Sequence, residues 1–166
     1  MTSERLHLWR STDARPQPAP LDDVRTLGLA DAPELAKLMI SAYRGTHDYE
    51  GETEAQALEE IERTLAGTYG DFDPHASLGR WEDGTLISAV VVTHFEGAAL
   101  FAFCMTAAGR KRMGHCKQLM LRSLAVLAEH GHSAAHLYVS SANAPALTLY
   151  RQLHFTEVTN ALSEID

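Results

Sequence analysis

The chain contains 166 residues, of which 45% are hydrophobic and 22% are charged, a composition typical of one globular domain with a substantial core. Its formal net charge of −8 argues against general nucleic-acid binding and against docking on anionic membranes. No apolar run approaches the roughly 20 residues that cross a bilayer, and the two cysteines, Cys104 and Cys116, have no disulfide or metal-ligand spacing. We therefore expect a cytoplasmic protein without a metal site.

Residues 1–22 have the composition of an N-terminal arm. Leu6 and Leu8 hint at a short strand, and the three prolines between residues 16 and 20 enforce an extended chain after it. No internal repeat, low-complexity block or composition break follows. We therefore expect residues 23–166 to form a single domain.

Alternating apolar residues at 24–29 predict the first strand of this domain. Asp31, Pro33 and Glu34 are typical of a helix start, with Asp as the N-cap, proline in the first turn and Glu at the capping-box position. Apolar residues then recur at helical spacing, which gives this helix one buried side.

A polar loop separates this helix from a second amphipathic helix at about 54–66. The loop contains three acidic residues. Glu52 is explained by the dipole of the helix that follows it. Asp48 and Glu50 stay open as contacts for a cationic substrate.

Two predicted strands, at 76–80 and 86–93, flank the dipeptide Asp83-Gly84. Asp-Gly between alternating runs is a strong indication of a β-hairpin. A second turn at 94–97 leads to an apolar, Phe-rich run at 100–105, which is short enough to be a buried strand.

The loop after this strand is a basic exception in an acidic chain. It contains Arg110, Lys111 and Arg112 between two glycines, and it leads into a helix that extends to Gly131. The first N–H groups of that helix lack intrahelical partners and lie at its positive dipole end, so they favour an anion such as a phosphate. The alternative is an ordinary strand–turn–helix with solvated cations, and no Walker A or G-x-G-x-x-G pattern decides between the two.

The residue pattern in the last part of the chain predicts a strand, a helix and a second strand. The strand lies at 135–139, and the helix begins at Asn143 as N-cap with Pro145 in its first turn. The final strand lies at 155–158, and the residues beyond it are expected to be a frayed tail or a short edge piece.

Two motifs make the sequence similar to the GNAT superfamily of N-acetyltransferases. The acyl-CoA loop of that family, R/Q-x-x-G-x-G/A, resembles residues 111–116, in which Lys111 replaces Arg or Gln and Cys116 replaces Gly or Ala. A later family pattern, N-x-x-A-x-x-L-Y-x-x-x-G-F, is matched by Asn143, Ala146, Leu149, Tyr150 and Phe155, whereas His154 stands in place of its glycine. The order of predicted elements resembles the family from 24 to 158.

The resemblance implies a fold of the α/β (α+β) class. It would be a single GNAT-like domain with a mixed, mostly antiparallel central sheet, splayed middle strands and flanking helices. It also implies an acetyl-CoA-dependent N-acetyltransferase that moves an acetyl group to a primary amine of a small molecule or a protein, by direct attack in a ternary complex. A homodimer is possible for such a domain.

The resemblance further implies the residues that bind acetyl-CoA. Backbone groups at the end of the strand would bind the pantetheine arm, and amides of the loop would bind the pyrophosphate. The residues at these positions, with Asn143 added from the later motif, are Met105, Thr106, Ala107, Lys111, Arg112, Met113, Gly114, His115 and Cys116.

Tyr150 is the predicted catalytic acid, which protonates the departing thiolate. The alternative for Tyr150 is a packing role beside Leu149 with its hydroxyl at the surface. The base that deprotonates the amine is not identified by the sequence, and the open candidates are His94, Glu96, Asp48, Glu50 and water. An alternative function is a non-catalytic acyl-CoA-binding or regulatory module of the same fold.

Overall fold

A computed structural model describes residues 4–12, 23–46 and 49–158. Within these residues the strands are β1 (Arg5–Ser11), β2 (Val24–Thr26), β3 (Asp71–Phe72), β4 (Leu78–Glu82), β5 (Thr85–Phe95), β6 (Ala98–Thr106), β7 (Ala134–Ser140) and β8 (Thr156–Glu157). The α-helices are α1 (Ala32–Tyr43), α2 (Glu54–Leu65), α3 (His115–Glu129) and α4 (Ala144–Gln152). None of the helices in this part of the chain combines the length and the apolar character that a membrane span requires.

The described strands form one sheet in the order β2-β4-β5-β6-β7-β1-β8, and β3 pairs with one end of β5. Neighbouring strands are antiparallel except β6 and β7, which are parallel. The predicted class, a mixed and mostly antiparallel sheet with flanking helices, is therefore confirmed. The short strand β3 was not predicted, because two residues are too few to show a period of two.

Tight turns connect β4 to β5 and β5 to β6. Asp83 and Gly84 have φ angles of 51° and 79°, and Glu96 and Gly97 have φ angles of 51° and 81°. Two successive positive φ values match the twist of a two-residue hairpin, so the ladder continues up to each turn. The predicted hairpin at Asp83-Gly84 is confirmed, and β5 is longer than the predicted 86–93.

Asp31 caps a different element from the one predicted. It stands at the N-cap position of α1 and Pro33 lies in the first turn, but its side chain makes no capping bond to α1. Its carboxylate instead accepts the N–H of Gly28 at 2.8 Å and pairs with Arg25 at 3.0 Å. A short 3₁₀ turn, Leu29–Asp31, precedes the helix and takes over this carboxylate, so the predicted strand at 24–29 ends at Thr26.

The strand hinted at by Leu6 and Leu8 is present and lies inside the sheet. β1 pairs along its whole length with β7, and its residues Leu8 and Trp9 also pair with β8. Leu8 is buried in the core. The segment 1–22 therefore contributes a strand to the sheet that residues 23–158 complete. Residues 1–3 and 13–22 of this segment lie outside the described residues.

The sheet separates two hydrophobic clusters. α1 and α2 pack on one face, with Leu35, Leu38 and Ile61 fully buried, whereas α3 and α4 pack on the other face. Alternation along β5 supplies both clusters, since Val91 faces the first and Val90 the second. Each helix therefore buries its apolar side against a shared sheet, which fixes where the helix ends lie.

Candidate functional site

β6 and β7 diverge and open a cleft at the middle of the sheet. The two strands pair only at Ala99 with Ala135 and at Leu100 with His136. Beyond these pairs β6 stays with β5 up to Thr106, while β7 stays with β1 up to Ser140. The predicted splaying of the middle strands is therefore observed.

The cleft has a volume of about 730 Å³ and is bounded by the end of β6, the basic loop, the first turn of α3, the end of α1 and α4. Of the predicted site residues, those that line it are Met105, Thr106, Lys111, Arg112, Gly114, His115, Cys116, Asn143 and Tyr150. Ala107 and Met113 are not part of the lining, and Met113 is exposed.

The backbone of β6 presents only some of its polar groups to the cleft. Ala107 donates its N–H to Ile87 O at 2.8 Å, and its carbonyl accepts the N–H of Arg110 at 2.9 Å. Hydrogen-bonded pairs alternate along an antiparallel ladder, so the backbone N–H and C=O of Met105 point toward β5, as the N–H of Ala107 does. The backbone groups of Cys104 and Thr106 consequently lie on the edge that β7 leaves uncovered.

The loop into α3 is shaped by two residues with left-handed backbone. Arg112 has a φ angle of 67° and Gly114, the N-cap residue, one of 81°. Among the described residues no side chain caps α3. The first helical hydrogen bond runs from Gln118 N–H to Gly114 O at 3.0 Å, so the amides of the preceding turn stay available to an anion.

Two of the three loop cations are used within the protein. Lys111 donates from Nζ to the carbonyl of Ala42, at the end of α1, at 2.6 Å. Arg110 forms an ion pair with Glu82 of the β4–β5 hairpin. These two cations therefore attach the loop to the end of α1 and to the β4–β5 hairpin.

Arg80 connects β4 to the first turn of α3 and was not identified from the sequence. Its guanidinium pairs with Asp23 at 2.6 Å and donates to His115 Nδ1 at 3.1 Å and to Gln118 Oε1 at 2.7 Å. Burial, followed by the Arg80 charge, lowers the pKa of His115. His115 is therefore a neutral acceptor fixed beside the cleft. No local pattern signals a contact between residues 35 positions apart.

The side chain of Cys116 points toward the sheet. Its Sγ lies 3.1 Å from Thr106 Oγ1 and 3.6 Å from Ser88 Oγ, and it donates to the carbonyl of Met105 at 3.4 Å. Burial raises the pKa of this thiol. The Cys116 side chain, which is larger than the Gly or Ala of the family pattern, therefore packs against β5 and β6.

Tyr150 lies in the wall of the cleft that α4 forms and is 8% exposed. Its ring packs edge-on against Phe155 at 6.1 Å, and burial, then the neighbouring Cys104 thiol, raises the pKa of its hydroxyl well above the usual value. Asn143 caps α4 by accepting the N–H of Ala146 at 3.2 Å, as predicted. The Tyr150 hydroxyl is therefore protonated at neutral pH and sits at the cleft.

The predicted base candidates do not gather at the cleft. His94 and Glu96 lie at the far end of β5, and His94 Nε2 is 2.7 Å from Asp73 Oδ2. Glu50 is exposed, its N–H donates to Glu52 Oε2 at 3.1 Å, and Asp48 lies outside the described residues. Among the described residues that line the cleft there is no carboxylate.

The sequence model of the Acetyltransferase (GNAT) family matches residues 34–155. No curated protein sequence is significantly similar to the chain. The solved structures described next agree with the family match. They are at most 20% identical to this chain, so by themselves they show only that the fold is shared.

Three solved structures illustrate the likeness. A GCN5-related N-acetyltransferase from Sphaerobacter thermophilus is 17% identical with a TM-score of 0.72, over 95% of this chain and 49% of its own. The PaiA N-acetyltransferase from Thermoplasma acidophilum, in complex with coenzyme A, is 20% identical with a TM-score of 0.62, over 78% of this chain and 86% of its own. The ribosomal-protein-S18-alanine N-acetyltransferase from Escherichia coli is 20% identical with a TM-score of 0.63, over 82% and 78%.

The chain spans about half the length of the Sphaerobacter protein. The family match extends from the first turn of α1 to Phe155 and so includes the diverging strands, the basic loop and Tyr150. On this evidence the chain belongs to the GNAT family of acetyltransferases.

Proposed function

We propose that the chain is an acetyl-CoA-dependent N-acetyltransferase that transfers an acetyl group to a primary amine of a small molecule or a protein. Family membership supports acetyl transfer. The observation that carries the proposal is the cleft between β6 and β7, which joins the uncapped N-terminus of α3 to the buried hydroxyl of Tyr150.

The residues around the cleft fit acetyl-CoA, which is a substrate of this reaction. The amides from Lys111 to Cys116 form the binding site for the pyrophosphate, because they lie at the positive end of the α3 dipole. The uncovered edge of β6 at Cys104 and Thr106 offers backbone hydrogen bonds to the amides of the pantetheine arm. The complex of the PaiA N-acetyltransferase with coenzyme A supports this use of the fold.

The proposed reaction is direct acyl transfer in a ternary complex. The nitrogen of the amine attacks the thioester carbonyl carbon, so the C–N bond forms as the C–S bond breaks. The Tyr150 hydroxyl then gives its proton to the leaving thiolate, whose conjugate acid has a pKa of about 8.5. Burial makes this phenol a weaker acid, so the transfer requires the hydroxyl to contact the sulfur.

The amine loses its proton without a carboxylate from the described part of the cleft. The Nδ1 of His115 already accepts a hydrogen bond from Arg80, so it is a poor base in this arrangement. We therefore propose that the amine enters deprotonated or loses its proton to water. An acceptor with a low amine pKa is expected to react fastest.

A binding assay followed by an activity assay tests the proposal. Acetyl-CoA is expected to raise the melting temperature, because a ligand that binds only the native state stabilises it. A panel of small amines and peptide amines is then assayed for amine-dependent release of free thiol. A melting temperature that acetyl-CoA leaves unchanged contradicts the proposed cleft.

A non-catalytic acyl-CoA-binding module is the second candidate. The observation that favours it is the absence of a carboxylate among the described lining residues. The two candidates differ in one outcome of the same assays. A rise in melting temperature with no thiol release for any amine supports the binding module and rejects the enzyme.

A further inference from the structure

Three potential metal ligands come together at the end of β5 that is remote from the cleft. Asp73 follows β3, His94 lies near the end of β5, and His132 follows the end of α3. Each residue offers one ligand atom, and these atoms lie within 4.8 Å of one another. The three residues are far apart in the sequence, so no spacing motif announces them.

Asp73 is held in place by the backbone. Its Oδ1 accepts the N–H groups of His75 and Ala76, both at 2.9 Å, and its side chain is 7% exposed. This leaves Oδ2 to face His94 Nε2 at 2.7 Å. A carboxylate fixed by two backbone donors is oriented in the way that ligating carboxylates usually are.

His94 has a ring nitrogen without a visible function in the protein. Its Nδ1 is buried and has no hydrogen-bond partner among the described residues. Its ring lies against that of His132, with the ring centroids 4.4 Å apart. Of the two ring nitrogens of His94, only Nε2 therefore has a polar partner among the described residues.

The chemistry of the ligand set favours a particular class of ion. Two imidazole nitrogens and one carboxylate oxygen suit zinc and related transition metals, whereas magnesium and calcium prefer oxygen ligands. Three protein ligands leave the fourth tetrahedral position to water. We propose that Asp73, His94 and His132 bind one divalent transition-metal ion, with zinc as the physiological match.

The cluster lies away from the proposed acetyl-transfer site. His94 is six residues along β5 from Ser88 beside Cys116, which at about 3.3 Å per residue places it about 20 Å away. Thr12, just after β1, donates its hydroxyl to the His132 carbonyl, and its N–H donates to Ser133 O at 2.9 Å. An ion bound here connects the β3–β4 loop to β5 and to the segment that follows α3, close to the end of β1.

The proposal is tested by measuring zinc binding to the full chain. Any bound metal is first removed with a chelator. Titration against a chromogenic chelator is expected to show one tight site per chain. Zinc is expected to raise the melting temperature and magnesium to leave it unchanged. His132→Gln is expected to weaken zinc binding at least about 10-fold, since even loss of a residue that only supports a ligand costs that much.

His130→Gln is the matched control. His130 is exposed, lies two positions from His132 and packs against His75 at 5.2 Å, outside the cluster. Its replacement is expected to leave zinc affinity unchanged. Equal weakening by the two variants, or a wild-type affinity no higher than that of His132→Gln, rejects the site.

A spectroscopic measurement covers the case in which a variant is unstable. Cobalt added to the wild-type protein is expected to give the intense visible absorption of a tetrahedral site. Asp73→Asn keeps the shape of the side chain and removes its charge, and it is expected to reduce this absorption. A wild-type cobalt spectrum typical of an octahedral, water-coordinated ion contradicts the proposal whatever the variants do.

Discussion

At Tyr150, burial and the neighbouring Cys104 thiol raise the pKa of the hydroxyl that we propose as the general acid. We expect Tyr150→Phe to lower kcat by about 100-fold, because general acid catalysis typically contributes at least that much. The affinity for acetyl-CoA is expected to change little, since the ring and its packing on Phe155 remain. Steady-state kinetics and a calorimetric titration with acetyl-CoA measure the two quantities separately.

Tyr138→Phe is the control for this prediction. Tyr138 is 48% exposed on β7 and lies outside the cleft lining, so its hydroxyl is expected to have no effect on turnover. If Tyr150→Phe turns over as fast as Tyr138→Phe, Tyr150 has no role in the chemistry.

Gly114 allows the left-handed turn that starts α3. Its φ angle is 81°, and a side chain in this conformation costs about 1–2 kcal/mol. We expect Gly114→Ala to lower the free energy of unfolding by about this amount and to weaken acetyl-CoA binding, because the first amides of α3 must reorient. Urea denaturation and calorimetry measure the two effects.

Gly109→Ala provides the comparison within the same loop. The φ angle of Gly109 is not left-handed, and a Cβ there meets no atom within 4 Å. Its replacement is expected to be tolerated in both assays. Equal losses in the two variants would show that the effect comes from the loop in general and not from the turn at Gly114.

At the scale of elements, we expect the contact between β1 and β7 to be sensitive to acid. His7 Nε2 lies 2.9 Å from His136 Nδ1, and burial lowers the pKa of both, helped at His136 by the charge of His7. A lowered pKa in the folded state means that the unfolded chain binds more protons near pH 6.5. This contribution to stability is present above that pH and is lost as the pH falls through the lower, folded-state values.

We therefore expect His7→Gln to reduce the acid sensitivity of the fold. The change in urea midpoint between pH 7.5 and pH 5.5 is expected to be smaller in His7→Gln than in the wild type. His130→Gln, at the exposed end of α3, is expected to keep the wild-type change. An unchanged pH response in His7→Gln would remove the histidine pair as its source.

At the scale of the whole molecule, the N-terminal strand is part of the core. Leu8 is 3% exposed, and β1 stands between β7 and β8 in the sheet. Leu8→Ala is expected to lower the free energy of unfolding by about 2–5 kcal/mol, as for other fully buried leucines. Leu29→Ala, at a leucine 68% exposed, is expected to change it by less than about 0.5 kcal/mol. Similar values for both variants would mean that β1 contributes little to the stability of the fold.

The sequence was sufficient for the features that depend on local patterns. The Asp83-Gly84 turn, the Asn143 cap and the four α-helices follow from residue types at short spacing. The left-handed start of α3 at Gly114 was not predicted, although the glycine itself was noted in the loop.

Contacts between distant segments could not be predicted in this way. Asp31 was expected to cap α1, but a competing turn takes its carboxylate. The hydrogen bond from the Lys111 ammonium to the carbonyl of Ala42 was not predicted either. Both outcomes depend on which backbone groups the tertiary fold leaves unpaired, and a single sequence does not contain that information.

The two walls of the cleft belong to different hydrophobic clusters. The wall at Ala42 packs with α1 and α2, whereas the wall at Tyr150 packs with α3 and α4 on the opposite face of the sheet. A molecule that fills the cleft therefore contacts both hydrophobic clusters at once. Amide hydrogen exchange is expected to slow in both clusters together when the cleft is occupied.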